Sequence, residues 1–302
     1  MHTQPHAQDT ARRVRVLLNR KSGSGWSFNT LEAAFARYWE GPECDLSYAF
    51  SYSAEDGRRK ALQAVREGFD CLLIGGGDGS VSSMGACLID TETALGAIPL
   101  GSGNGLARHF GIPLSPADAI RQLADATPRR IDVGRMNDRP FLITCSMAWD
   151  AALTETFERS PIRGMISYVL AGVYRFFEYT PHPLEIEIDG AETLRLEDPM
   201  LFTVANLSQF GGGAVVAPDA AADDGMLELV AFRRQDVPIL LQHLDKVFSH
   251  RVAEIPRILY RRFQHLKVRR PDAYPIQMDG ECVAAPREIC ITVQPRCLPL
   301  LA

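Results

Sequence analysis

Short apolar runs alternate with longer mixed ones over the first third of the chain. Val14–Asn19, Leu46–Ser51, Cys71–Ile74 and Ala97–Leu100 have the length and composition of buried strands. Between and after them, Thr30–Glu40, Ala54–Glu67, Ser80–Ile89 and Pro116–Ala124 read as helices. Alternation of this kind predicts a parallel sheet flanked by helices. Its ligands belong at the carboxyl ends of the strands. After about Ile131 the rhythm changes. Phe141–Cys145, Leu184–Ile188, Leu201–Asn206, Met226–Phe232, Leu266–Val268, Pro275–Met278 and Ile289–Val293 read as strands, several with apolar and polar residues in alternation. That predicts a mostly antiparallel sandwich or barrel. Helices are expected at Ile162–Glu178, Val237–Val247 and Arg251–Tyr260. The fold class is therefore α/β, with a first domain over residues 1–132 and a β-rich second domain over 133–302.

Composition narrows the class. At 46% hydrophobic and 23% charged, the 302 residues have ample material for a core. A net charge of −5 argues against a general nucleic-acid binder. The seven cysteines are scattered, with no Cys-x-x-Cys pair, and read as the reduced thiols of a cytoplasmic protein. Met1–Arg13 is polar and carries no secretory signal pattern. No run is apolar for long enough to span a bilayer. The nearest, Gly164–Tyr179, is short and contains Arg175 and Glu178.

Three glycine-rich turns each follow a predicted strand: Arg20–Gly25, Gly75–Ser80 and Gly101–Gly105. Glycine lets backbone approach a ligand closely, and successive N–H groups at such turns bind anions. One such turn is weak evidence for a phosphate site; three at one sheet edge are much stronger. None has the Walker or the G-x-G-x-x-G spacing. Asp78 lies among the glycines of the second turn. It either meets phosphates through a divalent cation, accepts hydrogen bonds from a neighbouring group, or closes an Asx-type turn. Asp223 and Asp224 precede Gly225, and Asp279 and Glu281 flank Gly280. From the residues alone, the first pair reads as a solvated turn and the second as a type I′ hairpin.

Four segments in order, "GGGDGS" (75–80), "PLGSGNGLARHFGIP" (99–113), "FGGGAVVAPDAAADDGMLEL" (210–229) and "MDGE" (278–281), resemble the diacylglycerol kinase/sphingosine kinase catalytic superfamily, in its soluble bacterial lipid-kinase branch. The resemblance covers nearly the whole chain. It implies an α/β nucleotide-binding domain followed by a β-sandwich domain, with the active site in the cleft between them and the last residues able to pack back on the first domain. It implies ATP, contacted by Asn19, Ser51, Gly76, Gly77, Asp78, Gly79, Ser80, Ser102 and Asn104. It implies Mg²⁺ held by Asp224 and the carbonyls of Ala221 and Met226. Glu281 is the implied catalytic base, with Asp279 beside it and Asp78 as a second candidate. Relatives commonly carry Asn and Glu where this chain has Ser82 and Ser83, which puts nucleotide preference and activity in question.

The implied partner is a lipid whose hydroxyl takes the phosphoryl group, reached through transient peripheral contact with a membrane. Met165, Ile166, Val169, Leu170, Val173, Phe176 and Phe177 would share one helix face, either as core or as the lining of a lipid groove. The basic tract "RILYRRFQHLKVRR" (257–270) reads as a solvated helix face or as a surface for anionic headgroups. A kinase with a soluble acceptor, such as NAD or a sugar phosphate, and a nucleotide- or lipid-binding regulator with little turnover are the other readings. A homodimer is compatible with all three.

Overall fold

The structure, a computed structural model, describes residues 11–22, 26–149, 179–211, 214–243, 245–246, 249 and 251–302. The helix expected over Ile162–Glu178 lies outside the described residues. In the first unit β1 (Arg12–Asn19), α1 (Phe28–Tyr38), β2 (Cys44–Ser51), α2 (Ala54–Arg66), β3 (Cys71–Gly76), α3 (Asp78–Gly85), β4 (Ala94–Pro99), α4 (Gly105–His109) and α5 (Pro116–Asp125) follow the predicted alternation. The strands lie parallel in the order β2-β1-β3-β4. Every residue of β3 and β4 is buried, so both read as unbroken apolar runs. α1 packs against α5, and α2 against α3. Helix starts are set locally. The Ser27 hydroxyl accepts from the Thr30 amide at 3.2 Å and that of Ser53 from the Asp56 amide at 3.1 Å, each satisfying an N–H that the helix leaves open. Pro116 opens α5.

The second unit contains β5 (Pro128–Met136), β6 (Arg139–Phe141), β7 (Thr144–Ser146), β8 (Leu184–Ile188), β9 (Glu192–Leu196), β10 (Pro199–Ala205), β11 (Gln209–Gly211), β12 (Ala214–Val215), β13 (Leu227–Arg233), α6 (Val237–Gln242), β14 (Leu259–Phe263), β15 (His265–Arg269), β16 (Ile276–Met278), β17 (Glu281–Val283) and β18 (Glu288–Leu301). Residues 132 and 133, where the division between domains was expected, sit inside β5. The long final strand joins the two units. β18 pairs antiparallel with β15 and β5, and its Leu300 pairs parallel with Leu95 of β4. One sheet therefore runs β2-β1-β3-β4-β18-β15-β8-β9, with β5 on β18 and β6 on β5. A second sheet, β14-β13-β10-β7-β16-β17, is antiparallel throughout. Phe141, Phe202, Val204, Phe263, Leu266 and Ile291 fill the apolar interior between these two sheets.

The basic tract at 257–270 is not a helix. It forms β14 and β15, with only a short 3-10 turn at Val252–Glu254 before them. β15 shows why: His265, Lys267 and Arg269 are exposed while Leu266 and Val268 are buried, a period of two. Most of its cations are paired. Arg261 meets Glu192, Arg262 meets Asp224 and Glu228, Lys267 meets Glu187, and Arg269 meets Glu288 and Glu185. The tract therefore presents alternating charges rather than a basic patch.

Candidate active site

The second and third glycine turns, with the described start of the first, converge at the carboxyl edge of the parallel strands. Asn19 ends β1 and Ser51 ends β2, paired in register. The first turn is described only to Ser22. It is fastened to the second through Asn19, whose Nδ2 donates to Ser80 Oγ at 2.7 Å and whose Oδ1 accepts from the Lys21 amide at 2.9 Å. The second turn is fastened to the third by backbone. The Leu100 amide donates to the Gly76 carbonyl at 3.0 Å. A Cβ on Gly101 would sit 2.5 Å from Gly77 Cα, so only glycine allows this crossing. Within the third turn Asn104 is left-handed, at φ 53°, and its side chain spans the loop. Its Oδ1 accepts from the Gly101 amide at 3.0 Å and its Nδ2 donates to the Gly101 carbonyl at 2.8 Å. Ser102 is exposed at the tip of this loop.

Asp78 opens α3 and points across to the third turn. Its Oδ1 accepts from the Gly105 amide at 2.6 Å, with the Asn104 and Leu106 amides also acting on the carboxylate. Of the three sequence readings, this is acceptance from a neighbouring backbone turn. Burial pushes the Asp78 carboxyl above its ordinary range, against the pull of those amides. Gly79 follows, and a Cβ there would meet Glu281 Oε1 at 3.3 Å. The Glu281 carboxylate, exposed at the start of β17, thus lies against the first turn of α3, where the open N–H groups and helix dipole favour negative charge.

The turn carrying Asp279 and Gly280 has φ 50° and 84° at these residues, as a type I′ hairpin requires. Asp279 is buried and fully engaged. Its Oδ2 accepts from the Leu142 amide at 2.7 Å, and its Oδ1 from those of Ile143 and Thr144 at 2.8 and 3.0 Å. Burial nevertheless raises its carboxyl to about 6. That geometry makes Asp279 a holder of the β6–β7 turn, leaving Glu281 as the carboxylate that faces the glycine loops. Ser82, on α3, lies close enough to Asp279 to act on its carboxyl. Its Oγ is buried. Ser83 accepts from Arg58 Nη1 at 3.1 Å.

Some residues of the seam were not singled out in the sequence. Asn206 donates from its amide nitrogen to the Leu142 and Asp132 carbonyls at 2.8 and 3.0 Å, and so grips the same β6–β7 turn as Asp279. Its position at the end of a predicted strand, just before "QFGGG", was the available signal. His109 Nδ1 accepts from the Ser208 amide at 3.1 Å and ties α4 to the start of β11. Burial, aided by Arg129, lowers His109 to about 4, so its ring is neutral at neutral pH. Asp132 accepts from the Gly225 amide at 2.6 Å and the Arg296 amide at 2.7 Å and so organises the turn that carries Asp224.

Ala221, Asp224 and Met226 lie on the turn that precedes β13. One Asp224 oxygen is ion-paired with Arg262, and the other accepts from the Met226 amide at 3.0 Å. A single carboxylate already held by a guanidinium does not fit a divalent cation unless Arg262 withdraws. Among the described residues no group of three or more His, Cys, Asp or Glu is placed to hold a metal.

Comparison with known proteins agrees with this arrangement. Residues 13–136 match the family model of the diacylglycerol kinase catalytic domain, and residues 144–302 that of the YegS C-terminal NAD kinase beta sandwich-like domain. A protein of Chromohalobacter salexigens named "probable lipid kinase YegS-like" is 30% identical over 78% of this chain and 77% of its own. A diacylglycerol kinase of Mycobacterium tuberculosis is 28% identical over 96% of this chain and 94% of its own. The crystal structure of a diacylglycerol kinase from Bacillus anthracis shares the fold, with a TM-score of 0.78 at 21% identity, covering 96% of each chain. With both halves matched in order, the chain belongs to the YegS-like, diacylglycerol kinase-type family of lipid kinases.

Proposed function

We propose that the protein transfers the γ-phosphoryl group of ATP to a hydroxyl of diacylglycerol or a related long-chain lipid. The observation that carries this reading is the Glu281 carboxylate lying against Gly79, where the second and third glycine turns are fastened to each other and to Asn19. Backbone N–H groups of residues 77–80 and 102–104, with Asn19, Ser51 and Ser80, would receive the triphosphate. Phosphoryl transfer is mostly positioning and charge stabilisation. Glu281 takes the proton of the acceptor hydroxyl as its oxygen bonds to the γ-phosphorus. The bond to the β–γ bridging oxygen breaks, and ADP leaves. Asp78 and Asp279 position the parts: one holds the third glycine turn, the other holds the hairpin bearing Glu281 against the β6–β7 turn. Mg²⁺ would enter with the nucleotide and neutralise phosphate charge.

A lipid acceptor requires contact with a bilayer surface. No helix among the described residues is long and apolar enough to cross a membrane, and the ion-paired tract of β14 and β15 offers little attraction for anionic headgroups. Contact is therefore brief and made by the acceptor-binding face. The test is a transfer assay with labelled ATP, Mg²⁺ and a panel of diacylglycerol micelles, NAD and sugar phosphates. Label in the lipid alone is the expected result. Label in NAD or a sugar phosphate would favour the soluble-acceptor reading. ATP binding with no transfer to any acceptor would leave the regulator reading standing.

A further inference from the structure

The turn before β13 is pinned by the chain's own groups. The Gly225 amide donates to Asp132 Oδ2 at 2.6 Å, and the Gly225 carbonyl accepts from Gln264 Nε2 at 3.2 Å. Asp224 Oδ1 accepts from the Met226 amide at 3.0 Å, and Asp224 Oδ2 accepts from Arg262 Nη2. Arg262 is itself anchored. The antiparallel register sets it directly opposite Glu228, and its Nε stands 3.3 Å from Glu228 Oε1. The Glu228 side chain is 1% exposed, whereas those of Arg262 and Asp224 are 46% and 30% exposed. One guanidinium therefore joins a buried acid of β13 to the half-exposed acid of the turn. Its planar fork of donors suits that span better than the single nitrogen of a lysine.

Mg²⁺ at this turn, as the resemblance implies, has one carboxylate to hold it, with the carbonyls of Ala221 and Met226. Mg²⁺ sheds its water reluctantly, and here it meets a cation already in place on Asp224. A guanidinium anchored on the neighbouring strand is always at hand, while a dissolved ion must be captured from solution. We infer that Arg262 takes the place of that divalent cation. It is a built-in counter-charge that joins the turn to β14, so the fold needs no metal at Asp224. The Mg²⁺ that accompanies ATP is a separate ion, and the inference holds whichever acceptor is phosphorylated.

The experiment is thermal melting of the full chain without nucleotide, in EDTA and in millimolar MgCl₂ at matched ionic strength. Mg²⁺ should shift wild type and Asp224→Asn equally, to within about 1 °C. Arg262→Met should melt at least about 4 °C below wild type in EDTA, because the buried Glu228 loses its partner. Mg²⁺ should then raise the melting temperature of Arg262→Met, since Asp224 is freed for it. That rise should vanish in the double variant Arg262→Met/Asp224→Asn. Should Arg262→Met not fold, Arg262→Lys carries the same comparison. A Mg²⁺-dependent rise in wild type that Asp224→Asn lacks would show a metal displacing Arg262 and would overturn the inference. So would an Arg262→Met variant as stable as wild type in EDTA, or one that gains nothing from Mg²⁺.

Discussion

Three carboxylates near the glycine loops differ sharply in what surrounds them, and that difference assigns their work. Glu281 is exposed and lies against Gly79; Asp78 is half-buried and Asp279 buried, and both are committed to backbone amides. Glu281→Gln should keep the melting temperature of wild type while lowering turnover by about 10²–10⁴-fold, the range for a lost general base. Asp78→Ala should instead cost stability, about 1–3 kcal/mol, because the Gly105 amide loses its acceptor; denaturant titration measures it. The resemblance put Glu281 first, with Asp279 beside it and Asp78 as a second candidate. The residues themselves did not separate their roles, since a carboxylate beside a glycine looks alike whether it faces solvent or an amide. Only the fold could say that Asp279 meets the Leu142–Thr144 amides, well over a hundred positions away in the chain. Glu228 gives a separate prediction. Burial raises its carboxyl from 4.5 to about 8, with Arg262 pulling the other way. Between those values the folded chain keeps a proton that the unfolded chain releases. Its stabilising contribution is present below the lower value and is lost as pH rises through the upper. Melting curves of Glu228→Gln and wild type should therefore diverge with pH, the variant gaining relative stability from about pH 5 to about pH 9.

Among the elements, the glycine turns and the final hairpin set the active edge. The first four strands and the helices between them were legible because buried parallel strands are continuous apolar runs separated by longer mixed ones. β14 was not legible. "RILYRRF" is dense in long cationic side chains that suit a helix, and only pairing with β13 makes it a strand. The crossing of the second and third turns is a direct test of the glycine argument. Gly101→Ala would push a Cβ to 2.5 Å from Gly77 Cα, a backbone atom that cannot rotate away. Overpacking of this kind costs about 1–3 kcal/mol. The variant should also lose nucleotide affinity, measured by titration calorimetry. At Gly111 nothing lies within 4 Å, but φ is +67°. Gly111→Ala should therefore cost only the backbone strain and leave nucleotide affinity unchanged.

For the whole molecule, β18 decides how the parts depend on one another. It lies in the parallel sheet beside β4 and also carries β5 and β15 of the second unit. The two units therefore cannot come apart without breaking a shared sheet. Heating should give a single cooperative transition by calorimetry, and removal of residues 288–302 should abolish it; two separate transitions would contradict the shared strand. The sequence pattern showed a strand at Ile289–Val293 but not its continuation to Leu301, because Pro295 is not what a strand interior usually holds, Arg296 is left-handed, and a bulge intervenes between Gln294 and Leu298. The same sharing holds Glu281 against α3 across the seam, and on that contact the account of function rests. Its most direct test is single-turnover transfer from γ-labelled ATP to micellar lipid by wild type and by Glu281→Gln, each saturated with nucleotide. Labelled phospholipid from wild type, and a rate at least about a hundredfold lower from the variant at equal ATP occupancy, is the predicted result. Equal rates from the two proteins, or no labelled lipid from wild type, would contradict it.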